Sequence, residues 1–196
     1  MELWHAWVCP YCMRVRIALA EKHLPYRDRE IDLANKPPEL LGVNPAGGVP
    51  VLVPDDGAAI PESMAILQYL EDRWPEHPIL PADPLARARA RLLYDRVTAE
   101  LGPHLVKLAR GTDAEKAAAE QAVRKALAVL EAEAPPDGGF LAGPFSIADI
   151  ALAPFVAKLP ARLRPAALGL PRLARWEAAV MSRPSVAAHT APRRAA

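Results

Sequence analysis

The chain has 196 residues, 52% hydrophobic and 24% charged, with 24 basic against 23 acidic side chains and a formal net charge of +1. A chain of this length can bury roughly 70% of its unfolded surface, so neither a disordered protein nor one that depends on disulfides is expected. So even a charge balance offers no broad basic face for phosphates, which argues against nucleic acid as the main partner. Two features depart from the ordinary: the only two cysteines are Cys9 and Cys12, and there are 22 prolines, about twice the usual share of roughly 5%.

Two cysteines three residues apart would close almost no loop as a disulfide. With His5 as the nearest further ligand they fall one short of a tetrahedral zinc set, so no metal is expected. The start Met1-Glu2-Leu3-Trp4 lacks the basic flank and apolar run of a secretory signal, and no stretch reads as a membrane span. The reading is therefore a cytoplasmic protein without membrane partners, in a compartment where a thiol pair stays reduced.

In chain order, Glu2 to Ala6 reads as a short strand. Pro10 to His23 reads as a helix with Met13, Ile17, Ala20 and Leu24 on one face, ended by Pro25. Tyr26 to Ile31 is a second strand, and Lys36-Pro37-Pro38 opens a short irregular or helical link. Gly47-Gly48-Val49-Pro50 turns into a strand at Val51 to Val53, and Asp55-Asp56-Gly57 signals a hairpin into Ala58 to Ile60. Ser63 to Trp74 is a helix stopped by Pro75.

From Glu76 to Pro84 three prolines make a stiff connector, and beyond it no strand-like alternation appears. Asp83-Pro84 starts a helix with Leu93, Val97, Leu101, Leu105 and Leu108 facing a core, which Gly102-Pro103 should kink or break. Thr112 to Glu115 is a capping box opening a helix to about Glu133 with Val123, Leu127 and Leu130 in register. Ser146 to Asp149 is a second box, a last helix starts near Pro171 and runs to Ser182, and the tail from about His189 is expected to fray.

The chemistry centres on Cys9-Pro10-Tyr11-Cys12, placed between a strand and the helix that it opens. Backbone donors and the positive end of a helix dipole favour thiolate over thiol, so Cys9 can act as a nucleophile near neutral pH. Cys12, one turn further, would be shielded and could resolve a mixed disulfide. The same pair also reads as two small residues packing a helix end.

Four motifs carry a resemblance over nearly the whole chain. Cys9-Pro10-Tyr11-Cys12, Gly47-Gly48-Val49-Pro50-Val51-Leu52, Pro61-Glu62-Ser63 and Phe145-Ser146-Ile147-Ala148-Asp149-Ile150, in this order, resemble the cytosolic glutathione transferase superfamily. The cysteine at the active position is similar to omega-class members, which act more as thiol transferases than as conjugating enzymes. The complete two-cysteine motif with Pro61-Glu62-Ser63-Met64 is also similar to the two-domain bacterial glutaredoxin.

The resemblance implies a thioredoxin-like α/β domain (β-α-β-α-β-β-α) over residues 1–75, a linker over 76–84 and an all-α domain over 85–196. It implies glutathione as co-substrate, a small electrophile or disulfide as second substrate, and a homodimer. Cys9 and Cys12 would be catalytic, with Pro10 and Tyr11 shaping their loop. The backbone of Val49, before a cis Pro50, would pair with the cysteinyl part of glutathione. Glu62 suits the γ-glutamyl ammonium, and Ser63 with the free N–H groups of its helix suits the carboxylate; Ser63 read alone is an N-cap. Lys36 either reaches the glycine carboxylate or is a solvated lysine. Two departures stand out: omega-like members usually lack a cysteine at the Cys12 position, and Gly48 stands where many relatives carry a larger side chain. A dithiol oxidoreductase and a non-catalytic adaptor of transcription or translation machinery are the alternatives.

Overall fold

The computed structural model describes residues 1–192. They divide into two compact units, Met1–Ile79 together with residues 189–192, and Leu80–Ala188.

The first unit follows the expected order: β1 (Glu2–His5), α1 (Pro10–Glu21), β2 (Arg27–Glu30), α2 (Glu39–Val43), β3 (Val51–Val53), β4 (Ile60–Pro61) and α3 (Ser63–Arg73). The sheet order is β2-β1-β3-β4, with β1 parallel to β2 and antiparallel to β3, and β4 antiparallel to β3. A parallel β1–β2 pair needs a crossover, and α1 supplies it. Strand alternation sends Leu3 and His5 to one face, where His5 meets Arg16 of α1, while Trp4 on the other joins Ala6, Ile31, Leu40 and Val51. The chain past the hairpin signal pairs later than expected, with Leu52 opposite Ile60.

Helix α1 does not have the single apolar face that its periodicity suggested. Eight consecutive residues, Cys12 to Leu19, are buried, Arg14 and Arg16 among them, so this helix has no solvent face for a stripe to mark. It also ends two residues early, at Glu21, and His23 turns the chain with a left-handed φ of 54°. Its end is tied to α3 by Lys22, whose Nζ pairs with Glu71 at 2.8 Å and donates to the carbonyls of Trp74 (2.7 Å) and His77 (2.9 Å).

The second unit is helical: α4 (Pro84–Arg110), α5 (Asp113–Glu133), α6 (Ile147–Lys158), two 3-10 turns, α7 (Pro171–Met181) and most of α8 (Pro184–Thr190). Helix α4 runs through Pro103, against the expected break. Pro103 lies on the exposed side, and Ala99, whose carbonyl loses its helical donor, is exposed to water as well. Its buried line is Ala90, Tyr94, Val97 and Leu101: Val97 and Leu101 of the expected stripe lie on it, Tyr94 takes the place of Leu93, and Leu93, Leu105 and Leu108 are only half-buried. Both capping boxes form. Helix α6 is the buried centre of the unit, with every residue from Ile147 to Val156 out of solvent. Residues 189 and 190, expected to fray, are the last two of α8; the tail expectation for residues 193–196 lies outside the described residues.

Candidate active site

The loop between β1 and α1 is short and tightly tied. The Cys9 N–H donates to the Ala6 carbonyl (3.1 Å), and the Cys9 carbonyl accepts the first helical N–H, from Met13 (3.0 Å). Cys9 is therefore the N-cap of α1, in extended conformation with no side-chain cap of its own, and Pro10 occupies the first helical position, where a missing N–H costs nothing. This leaves the Cys9 sulfur facing the unsatisfied N–H groups of the first turn.

Those surroundings split the two thiols. Cys9 is half-exposed, and its pKa is lowered to about 7, first by the hydrogen bond from the Cys12 side chain, then by the backbone N–H groups of Cys12 and Tyr11 and by the charge of Arg16, against an opposing effect of burial. At neutral pH about half of Cys9 is then thiolate. Cys12 is fully buried, and burial together with the neighbouring Cys9 pushes its pKa well up. The Ala6 N–H points at the Cys12 sulfur at 3.4 Å. One thiol is thus partly ionised near neutral pH while the other holds its proton.

A small pocket lies beside this helix end, lined by Tyr11, Asn44, Gly48, Val49, Pro50, Glu62 and Ser63. The Val49–Pro50 peptide bond is cis. Val49 and Cys9 both pack on the cluster formed by Ala6, Ile31, Leu40 and Val51. Among the described residues, neither the N–H nor the C=O of Val49 makes a hydrogen bond, so both are available for an extended partner. Glu62, not Ser63, is the N-cap of α3, held at φ 70° and ψ 120°, a sparsely populated conformation for a non-glycine residue. Ser63 is the buried first residue of the helix, which corrects its reading as a cap.

The pocket thus brings together five of the expected residues: Tyr11, Val49, Pro50, Glu62 and Ser63. Cys9 and Pro10 form the adjoining helix start, and Cys12 lies beneath. Lys36 is not in the lining: exposed, it donates from Nζ to the Gly47 carbonyl (2.9 Å) and so braces the loop that leads to Val49. Asn44 was missed. It is buried, its Nδ2 donates to the Gly48 carbonyl (2.9 Å) and its Oδ1 accepts from the Ala46 N–H (3.2 Å). The sequence does carry a signal for it, since asparagine accepting from the N–H two residues on is a turn-forming pattern and Asn44 precedes Pro45-Ala46-Gly47-Gly48. At Gly48 a Cβ would meet only Asn44 Nδ2, at 3.5 Å, so the fold itself does not require a glycine.

Residues 3–78 match the family description "Glutathione S-transferase, N-terminal domain" and residues 113–179 match "Glutathione S-transferase, C-terminal domain". The chain is 36% identical over 149 residues to a stringent starvation protein A homolog from Pasteurella multocida, a match covering 74% of this chain and 68% of that one. Among solved structures it is similar to rice GST1 in complex with glutathione, with a TM-score of 0.85 and 36% identity over 95% of this chain and 88% of that one. It is similar as well to glutathione transferase Omega 3C from Trametes versicolor, with a TM-score of 0.79 and 30% identity over 99% of this chain and 85% of that one. The two matched domains together span more than half of the chain, and the chain belongs to the glutathione S-transferase family.

Proposed function

We propose that the protein is a glutathione-dependent thiol transferase in which Cys9 is the nucleophile. The observation that carries this reading is the lowered pKa of Cys9, about 7, at the start of α1 beside a pocket with a cis proline and an unpaired backbone segment at Val49. A serine or tyrosine at that position would activate the thiol of glutathione; a thiolate can instead form a covalent bond itself.

The reaction follows from thiol–disulfide exchange. The Cys9 thiolate attacks the glutathione sulfur of a mixed disulfide, a Cys9–glutathione disulfide forms, and the other thiol leaves as thiolate and takes up a proton. A second glutathione thiolate then attacks the glutathione sulfur on Cys9, releasing oxidised glutathione and restoring the Cys9 thiolate. With an electrophile in place of the disulfide, the same pocket would present glutathione for conjugation. In this reading Val49 pairs with the cysteinyl backbone, Ser63 and the first N–H groups of α3 take the γ-glutamyl carboxylate, Glu62 takes its ammonium, Tyr11 and Pro10 shape the wall, and Lys36 and Asn44 hold the loop.

A dithiol version is supported by one observation: Cys12 follows Cys9 by one turn of α1, and each thiol shifts the pKa of the other. Cytoplasmic location and a homodimer remain part of the proposal and rest on the family relationship alone. The test is turnover of a small glutathione mixed disulfide by protein first shown to be retained on immobilised glutathione. Cys9→Ser is expected to lose at least a hundredfold in rate while still being retained. Full activity in that variant would sink the nucleophile assignment, and a wild-type protein neither retained nor active would favour a non-catalytic adaptor.

A further inference from the structure

A charged cluster lies beneath the thiol loop, outside the lining of the pocket. Arg16, one turn past Cys12 on α1, is fully buried. Its Nη1 donates to His5 Nδ1 (2.8 Å) and to the Ala6 carbonyl (3.4 Å); its Nη2 donates to the carbonyls of Trp7 (3.0 Å) and His189 (3.3 Å). The guanidinium carbon lies 4.3 Å from the centre of the Trp7 ring, and Nε is buried with no hydrogen-bond partner. Every acceptor around Arg16 is therefore neutral, and among the described residues no carboxylate pairs with it directly.

The hydrogen-bond chemistry fixes the state of His5. A guanidinium has donors only, so Nδ1 of His5 must accept. Its single proton then sits on Nε2, where the Asp28 carboxylate accepts it. Consistent with this, the pKa of His5 is lowered, by burial first and with a contribution from Arg16, against the pull of Asp28 and Glu30. His189 is also held neutral, its pKa lowered to about 4 by burial and then by Arg16 and His5, and burial raises that of Tyr26. Among the described residues, the only negative side chain that reaches Arg16 through hydrogen bonds is Asp28, across a neutral ring, and Asp28 is 56% exposed to water.

The two loop carbonyls that Arg16 holds belong to the segment carrying Cys9. The Ala6 carbonyl also receives the Cys9 N–H, and the Ala6 N–H points at Cys12 Sγ. We propose that Arg16 is a positioning residue for the thiol reaction: it fixes the Cys9 loop through the carbonyls of Ala6 and Trp7 and holds beneath it a buried positive charge, unpaired by any carboxylate, that favours the thiolate. A buried cation without an adjacent anion is costly, and an anion formed nearby recovers part of that cost. In accord with this, the charge of Arg16 acts on both cysteines in the direction of thiolate. The inference rests on Cys9 being the reactive thiol, and not on glutathione binding.

The test is alkylation of Cys9 by iodoacetamide followed against pH, the modified residue being identified by mass spectrometry. In Arg16→Met the midpoint is expected to rise by about one pH unit, so that the rate at pH 7 falls about fivefold. Arg16→Lys, which keeps the charge and loses the fork, should shift it less. An unmoved midpoint in folded Arg16→Met overturns the proposal. Should that variant not fold, the wild-type ¹⁵N resonance of Arg16 Nε decides: it is expected to move with the Cys9 midpoint and to lose that step in Cys9→Ala, and a resonance indifferent to Cys9 overturns the proposal too. Alkylation needs no glutathione, so a protein inactive in exchange could still pass, and an active one could still fail.

Discussion

Cys12 is the residue on which the choice between one-thiol and two-thiol chemistry turns. Its burial and raised pKa leave almost no thiolate at neutral pH, and a protonated, buried thiol is a poor attacker of a neighbouring disulfide. Its hydrogen bond to Cys9 is the largest single cause of the lowered Cys9 pKa. Cys12→Ser, which keeps a small donor, is thus expected to retain most of the exchange rate, whereas Cys12→Ala should raise the Cys9 alkylation midpoint and slow exchange at pH 7; loss of turnover in Cys12→Ser with an unchanged Cys9 midpoint would establish the two-thiol route. At this scale the site was legible wherever residues come in fixed strings, as with Cys9 to Cys12, Val49-Pro50 and Glu62-Ser63. Arg16 and His5 were not, because an arginine in a helix reads as a solvent-facing residue and only the packing on all sides of α1 turns it inward. Lys36 shows the converse: its place in the sequence was noted, but the structure uses its ammonium on the Gly47 carbonyl.

Among the elements, α6 shows how one side chain can hold a helix start in place. Asp149 is fully buried and accepts from the N–H groups of Ser146 (2.9 Å) and Leu141 (2.9 Å), from the Trp176 Nε1–H (2.8 Å) and from the Ser146 hydroxyl (3.4 Å). Removing it orphans donors from the helix cap, the preceding loop and α7 at once. Asp149→Ala is therefore expected to cost about 3 kcal/mol or more, read as a lower urea midpoint, while a folded Asp149→Ala should keep the Cys9 alkylation midpoint. The capping boxes at Thr112 and Ser146 could be read from the sequence because each pattern lies within four residues. The course of α4 could not: whether Pro103 breaks a helix depends on which side faces water, and Tyr94, a residue with a polar tip, takes the place in the buried line that the neighbouring Leu93 was expected to fill.

For the whole molecule, the imidazoles of His5, buried, and His189, half-buried, set the response to acid. His5 and His189 both have pKa values below the ordinary 6.5, His189 at about 4, so an unfolded chain takes up protons that the folded one refuses. Their contribution is complete above about pH 6.5 and is lost as the pH falls toward 4. Asp149 acts in the opposite sense, since burial raises its pKa and its cost is already present at neutral pH. The surface carboxylates Glu115 and Glu120, lowered by a capping bond and by Arg162, add their own losses only below the ordinary carboxylate range. Denaturant midpoints are expected to fall between pH 7 and pH 5, and His189→Asn should flatten that slope; an unchanged slope in the variant would exclude His189 as a source.

The grouping of residues 189–192 with the first unit carries a consequence for synthesis on the ribosome. Arg16 donates to a carbonyl 173 residues further on, and the Trp7 indole N–H to that of Ala191, 184 residues further on. The sheet and its helices can assemble as soon as the chain has emerged as far as Arg73. The Cys9 loop cannot acquire its full set of bonds until residues 189–191 have left the exit tunnel, more than a hundred residues after the sheet is complete.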